Sequence, residues 1–232
     1  MNPNVLAGNL ILGPADDLDT YGDYERFTIT GNPDGSRTLR TLTISPRGDL
    51  IRDVNQMAGP DWRPIEGTSR LFFGGECKGT VVRRVIGDRL HSYAWVPGEP
   101  TDIAEFEAPP GMTLGFHPIM HEAWKMNFYD FARRGRQQIM IFTVSRTWNG
   151  KTLGHGELID TTEAEFMGRE SIDVPGGSFD CERFSWWTSF GKELRIWRTG
   201  PQNMLVQMEV LEENRHVMYR LASLSETEIA VS

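Results

Sequence analysis

The sequence predicts a mostly β fold: one large antiparallel meander closed into a barrel or half-barrel, with a single helix over residues 118–134 plugging the open side. Three observations predict it. Apolar and polar residues alternate with period two in about ten to twelve short runs, the mark of half-buried strands. Turn residues separate those runs at spacings of about 8–12 residues. One stretch alone, "GFHPIMHEAWKMNFYDFARRG" from Gly115 to Gly135, changes to a helical period.

Taken in order, "DYERFTITG" turns through "NPDGS" into "RTLRTLTIS", and "PRGD" leads into "LIRDVNQMA". Next come "SRLFFGG", "CKGTVVRRVI" and "RLHSYAWV". The last two are joined by Gly87-Asp88, a two-residue hairpin turn in which glycine can take positive φ. Residues 96–113 hold four prolines and read as a long connection to the helix. In the helix, Pro118 suits the first position and leaves His117 as the N-cap. Met120, Ala123, Trp124, Phe128 and Phe131 form an apolar stripe, with His121, Glu122 and Lys125 off it. Arg133 and Arg134 sit where the helix dipole favours cations, and Gly135 is a natural stop. "RQQIMIFTVSRTW" then turns at Asn149-Gly150 into "KTLGHGELID". "GSFDCERFSWW", "ELRIWRTG", "MLVQMEVLE" and "HVMYRLASL" complete the meander. A sheet this long must close or fold over to hide its edges. No linker or repeat divides the chain, so one domain over 1–232 is expected.

The formal net charge of −8 argues against nucleic acid or an anionic membrane as partner, since both need clustered Lys and Arg. No run reaches the roughly 18–20 apolar residues of a membrane span. The start "MNPNVLAGNLILGPADD" lacks a basic region followed by an apolar one, so a cytoplasmic location is expected. The two cysteines, Cys77 and Cys181, are far apart and outside any CxxC, and read as free buried thiols. Nucleotide-binding and hydrolase motifs (GxGxxG after a strand, GxxxxGK, GxSxG) do not occur, and no cofactor is expected. The acidic "PADDLDTYGDYE" loop lacks calcium-binding spacing.

His117 and His121 are the first candidates for chemistry. A zinc protease needs HExxH, but the run after His121 is Glu122-Ala123-Trp124-Lys125, and metal binding would need a third ligand such as His91. Proton transfer is the more natural use, because imidazole titrates near neutral pH and a helix N-terminus lowers its pKa. A cap and a solvated histidine is the plain alternative. Strand alternation puts Arg89, His91, Tyr93 and Trp95 on one face, either a wet aromatic pocket or an ordinary outer surface. Arg26, Arg40 and Arg52 fall on successive strands: inside a barrel they would clamp a carboxylate or phenolate, and outside they would form a ladder with acids. Trp95, Trp124, Trp186, Trp187 and Trp197 suit an aromatic-lined cavity or a large β core equally.

The C-terminal third carries Gly168, Glu170, Pro175, Gly177, Phe179 and Cys181, followed by Ile196-Trp197. It resembles the end of the lipoprotein-carrier-like open β-barrels (LolA/LppX type), and within them an uncharacterised periplasmic family. That resemblance covers about 70 of the residues and implies a lipocalin-like curved sheet around an apolar cavity that holds lipid-like molecules. It departs in lacking an export signal, and nothing before residue 150 matches. Two readings follow. In the first, a cofactor-independent lyase, isomerase or hydratase acts on a small apolar, aromatic or lipid-derived molecule. His121, His91 and His117 then transfer protons, Tyr93 donates a hydrogen bond, and Trp95, Trp124 and Arg40 bind the ligand. In the second, the protein is a non-catalytic carrier or sensor of a hydrophobic molecule. Homo-oligomerisation through exposed strand edges is a further option.

Overall fold

A computed structural model describes residues 4–15, 17, 21–144, 154–189, 191–212 and 215–228. The expected turn at Asn149-Gly150 lies outside them. Fifteen strands join one sheet. The first eight are β1 (Asn4–Pro14), β2 (Gly22–Gly31), β3 (Arg37–Ile44), β4 (Leu50–Ala58), β5 (Pro64–Phe73), β6 (Glu76–Ile86), β7 (Arg89–Trp95) and β8 (Asp102–Glu107). After β9 (Met112–Gly115) come the helix α1 (Met120–Lys125) and a 3₁₀ turn, Met126–Phe128. The remainder are β10 (Gln137–Thr143), β11 (Leu158–Val174), β12 (Gly177–Trp187), β13 (Glu193–Thr199), β14 (Met204–Glu212) and β15 (Arg215–Glu228).

Sequential strands pair antiparallel, and β1 pairs with β15, giving the order 8-7-6-5-4-3-2-1-15-14-13-12-11-10-9. Among the described residues the one parallel pair is β9 with β10. Strands β8 and β9 stand at opposite ends of the order, so the barrel is not closed by a ladder. Instead the β9–β10 end tucks into the concave face: Gln56 Nε2 on β4 donates to the Leu114 carbonyl at 3.1 Å, and Arg83 Nη1 on β6 donates to the Phe142 carbonyl at 2.8 Å. At the other end the β11–β12 tip returns to β15, where Gly176 N donates to the Leu221 carbonyl at 2.9 Å. The half-barrel with a helix that the alternation predicted is therefore present. It has more strands than expected, because residues 96–113 are not only a connection, containing β8 and the start of β9, and because the N-terminal residues form β1.

The helix is shorter than predicted. It spans six residues rather than 118–134, and all six are buried, including His121, Glu122 and Lys125, which were expected off its apolar stripe. Its first turn is held from another strand. Glu25 of β2 accepts from the amides of Ile119 at 2.9 Å and Met120 at 2.8 Å, and His117 sits outside the helix at φ 65°. The far end stops because side chains satisfy the backbone better than a further turn would. Asn127 Nδ2 donates to the Trp124 carbonyl, while Gln137 binds the amide and carbonyl of Asp130 and the carbonyl of Arg133. Tyr129 and Phe131 pack edge-on against Phe184 and each other, so Phe131, one of the residues at helical spacing, packs against its neighbours without being helical.

The helix docks on β13 and β14. Trp124 Nε1 donates to the Gln202 carbonyl at 3.0 Å, and Arg198 Nη1 donates to the Ala123 carbonyl at 3.4 Å. Around it lies the larger of two separate apolar clusters, with Leu10, Phe27, Ile29, Phe184, Trp186 and Met208. The smaller cluster lies between β4–β7 and the β9–β10 end, with Val54, Leu71, Leu90, Phe116 and Phe142.

Candidate functional site

Many of the buried residues of β2 to β7 that belong to neither apolar cluster are polar. Glu25 on β2, Thr41 and Thr43 on β3, Arg52 and Gln56 on β4, Ser69 on β5, Arg83 on β6 and Ser92 on β7 are all buried. Buried polar atoms normally find partners, yet Thr41 Oγ1, Arg52 Nε, Gln56 Oε1, Ser69 Oγ and Arg83 Nε have none. Facing this seam is the segment from Phe116 to His121, which enters the half-barrel ahead of the helix.

Its placement follows from two backbone facts. Gly67 on β5 leaves room for the Phe116 ring: a Cβ there would come within 2.3 Å of Phe116 Cε2. His117 takes a left-handed conformation, uncommon for a residue with a Cβ and found where surrounding structure over-determines it. The His117 Nε2 and His121 Nδ1 atoms are buried without partners, and His121 Nε2 lies 3.4 Å from Gln56 Nε2.

Electrostatics sort these groups into donors and acceptors of protons. Burial pushes the Glu25 carboxyl from 4.5 up to about 7, against the lowering pull of the Met120 and Ile119 amides, the Thr43 hydroxyl and the Arg52 charge. Burial, with the charges of Arg52, Lys125 and Arg83, holds the His117 imidazole down at about 3. Burial and the Lys125 charge likewise hold His121 well below its usual value, so both rings are neutral at physiological pH. Lys125 itself is paired with Glu122 at 2.5 Å and lies 4.6 Å from the centre of the Trp186 ring.

The candidates from sequence divide between the two faces of the sheet. His121 and Trp124 come together, ring centroids 6.0 Å apart, and share a small pocket with Gln56, Trp62, Thr113 and Phe128. His117 lies within reach of the Arg52 charge, and the amides of Ile119 and Met120 that follow it are held by Glu25. The His91 face points outward: Tyr93 and Trp95 are exposed, and His91 Nδ1 lies 3.4 Å from Glu105. Arg40 is exposed and faces Asp53 at 3.5 Å, whereas Arg52 turns inward. Thus His91, Tyr93, Trp95 and Arg40 do not meet His117 and His121. Sequence reasoning passed over Glu25, Gln56, Arg83 and Trp62. For three of these a signal was present: Glu25 is in phase with Phe27 and Ile29, Gln56 with Val54, and Arg83 with Val81, each a polar residue on its strand's apolar face.

The roomy apolar hollow that the resemblance implied is not present among the described residues. Beside His121 there is about 10 Å³, space for one water. A larger, open cleft of about 580 Å³ lies elsewhere, over β11–β13, and is lined by charged groups including Arg169, Asp180, Glu182 and Arg198. Ser92, His155 and Asp102 stand in line, with Ser92 Oγ 2.9 Å from His155 Nδ1 and Asp102 Oδ2 2.9 Å from His155 Nε2. Their exposure is the reverse of a hydrolase's: the hydroxyl is wholly buried and the carboxylate side chain is 72% exposed. Among the described residues, no three His, Cys, Asp or Glu side chains are grouped to hold a metal. No helix there is long and apolar enough to cross a membrane.

Together these features define a barrel-like β protein whose concave face is filled by a short helical plug over a polar seam. No family model matches the chain, and no curated protein does. Among solved structures it is similar to a "beta-barrel-like protein of domain of unknown function DUF1849" from Brucella abortus. The two are 9% identical over 98% of this chain and 99% of that one, with a TM-score of 0.57, which establishes the shared fold. Weaker likenesses are a "putative lipoprotein" from Parabacteroides distasonis and a "putative exported protein with YmcC-like fold" from Bacteroides fragilis. The first is 12% identical over 97% and 96% of the two chains, TM-score 0.40, and the second 10% over 97% and 95%, TM-score 0.39. The barrel-like fold that the C-terminal residues suggested is thus present. The cytoplasmic location expected from the N-terminal residues is corrected: these neighbours are described as lipoprotein and exported proteins, and that expectation is withdrawn.

Proposed function

We propose that the chain is a binding protein for a small amphipathic molecule, held in the polar seam once the plug segment shifts aside. The observation that carries this is the set of buried polar atoms without partners on both walls: Arg52 Nε and Gln56 Oε1 on the sheet, His117 Nε2 and His121 Nδ1 on the plug. Leaving such groups unpaired costs about 1–3 kcal/mol each, and a ligand bearing oxygen atoms would recover that cost. The strained His117 and the six-residue helix support a segment that can be displaced. An apolar portion would rest on Trp62, Trp124 and Phe128.

Titrating the protein with the neutral probe N-phenylnaphthylamine tests this. Saturable binding is expected, with tryptophan quenching that weakens in Trp124→Phe. Absence of saturable binding would remove the proposal.

Acid–base catalysis without a cofactor is a second reading, favoured by one observation. Glu25, with a pKa of about 7, holds the amides of Ile119 and Met120, two and three residues after the neutral His117, so a proton donor and an acceptor coexist at one segment at neutral pH. In that reading Glu25 and His117 exchange protons with the bound molecule, and His121 orients it. A bound molecule recovered unchanged after long incubation, with no solvent deuterium incorporated, would leave binding alone.

A further inference from the structure

The interior carries more positive than negative charge, against the sign of the whole chain. The formal net charge is −8, yet the buried Lys, Arg, Asp and Glu side chains among the described residues are Arg37, Arg52, Arg83, Lys125 and Arg198 against Glu25 and Glu122. Two of the cations are paired: Lys125 with Glu122, and Arg198 with the partly buried Glu182 at 3.0 Å. Arg83 and Arg37 meet no carboxylate among the described residues. Arg83 donates to the carbonyls of Phe142, Thr143 and His155, while Arg37 donates to Gln202 Oε1 and to the carbonyls of Gly35 and Gly59 and lies over the Trp62 ring. Arg52 has a buried Nε without a partner, and its neighbour Glu25 turns both carboxylate oxygens to the amides of the plug.

Unpaired buried cations are strongly disfavoured in an apolar interior. Two of the orphaned atoms face the same segment: Arg52 Nε and His117 Nε2 are both buried without partners, and the charges of Arg52, Arg83 and the paired Lys125 all bear on the His117 ring. A guanidinium and a ring nitrogen without partners are the groups that hold an oxyanion.

We propose that the ligand of the seam is an amphipathic carboxylate, its head group taken by Arg52 and His117 and its apolar tail lying against Trp62, Trp124 and Phe128. This rests on the binding function proposed above and adds the ligand's charge and orientation.

Calorimetric titration of the full chain at pH 7.5 with dodecanoate, dodecanol and dodecylamine tests it. Dodecanoate is expected to bind about tenfold or more tighter than dodecanol, and dodecylamine most weakly, as a charge-assisted head-group contact requires. Arg52→Met should abolish the preference for acid over alcohol, and Arg52→Lys should retain part of it. Equal affinity for acid and alcohol, or an unchanged preference in a folded Arg52→Met, would overturn the carboxylate assignment and leave binding of neutral amphiphiles standing. No binding of any of the three, together with no binding of N-phenylnaphthylamine, would remove both proposals. The acid-to-alcohol ratio on the unaltered protein decides the point even where the Arg52→Met variant does not fold.

Discussion

Glu25 shows how one side chain serves both structure and chemistry. It accepts from both amides at the start of α1, and burial raises its pKa from 4.5 to about 7. Because the folded value is the higher one, the folded state holds this proton more tightly. The group's contribution is therefore fully present below pH 4.5 and is lost as pH rises to about 7, a change of roughly 3 kcal/mol. Glu25→Gln lacks this dependence. The stability of the native protein relative to that variant, read from urea unfolding, is expected to fall across pH 4.5–7.5, and a flat difference would count against it. His117 has the opposite sign. Its pKa is lowered from 6.5 to about 3, so its stability contribution is present above pH 6.5 and lost as pH falls. His117→Asn should reduce acid sensitivity between pH 6.5 and 4, and asparagine tolerates the left-handed backbone at that position. Both histidines stood out in the sequence by rarity and spacing. Their placement did not, because the segment that carries them is held by a carboxylate nearly a hundred residues earlier in the chain.

At the scale of elements, the strands were legible because alternation is local, and most hairpins pair neighbours in sequence. The helix was over-read because Trp124, Phe128 and Phe131 keep a helical spacing while only the first of them lies in α1. Nothing local announces that Gln137 satisfies the backbone of Asp130 and Arg133 from the following strand. The plug's seat is set by Gly67. Gly67→Val forces a branched side chain against the Phe116 ring and should destabilise the fold by about 1–3 kcal/mol in urea unfolding. Trp124→Ala removes the indole that joins the helix to the Gln202 carbonyl and packs against the His121 ring, and should cost about 3–5 kcal/mol. An effect below 1 kcal/mol for either would mean that the segment packs loosely.

Across the whole molecule, an acidic surface encloses an interior with more buried cations than anions. Composition gave the sign of the total and concealed that of the core, since only the fold tells which arginines turn inward: Arg52 and Arg83 do, while Arg26, Arg40 and Arg84 do not. The inward tuck of the β9–β10 end was equally hidden, because a parallel pair joined through a plug leaves no periodic trace. That tuck fills the hollow that the family resemblance led one to expect. A carboxylate bound inside should stabilise the fold: at about a hundredfold excess over its Kd the gain is about 2.7 kcal/mol. For a chain of this size that corresponds to a rise of roughly 5–10 °C in Tm, with no comparable rise from dodecylamine.

Backbone hydrogen exchange, followed with and without saturating dodecanoate, locates the guest most directly. If a guest molecule sits between the plug and the inner faces of β4–β6, exchange should change over residues 116–128 and along those strands. Changes confined to residues 169–171 and 180–182, around the open charged cleft, with the plug untouched, would contradict it.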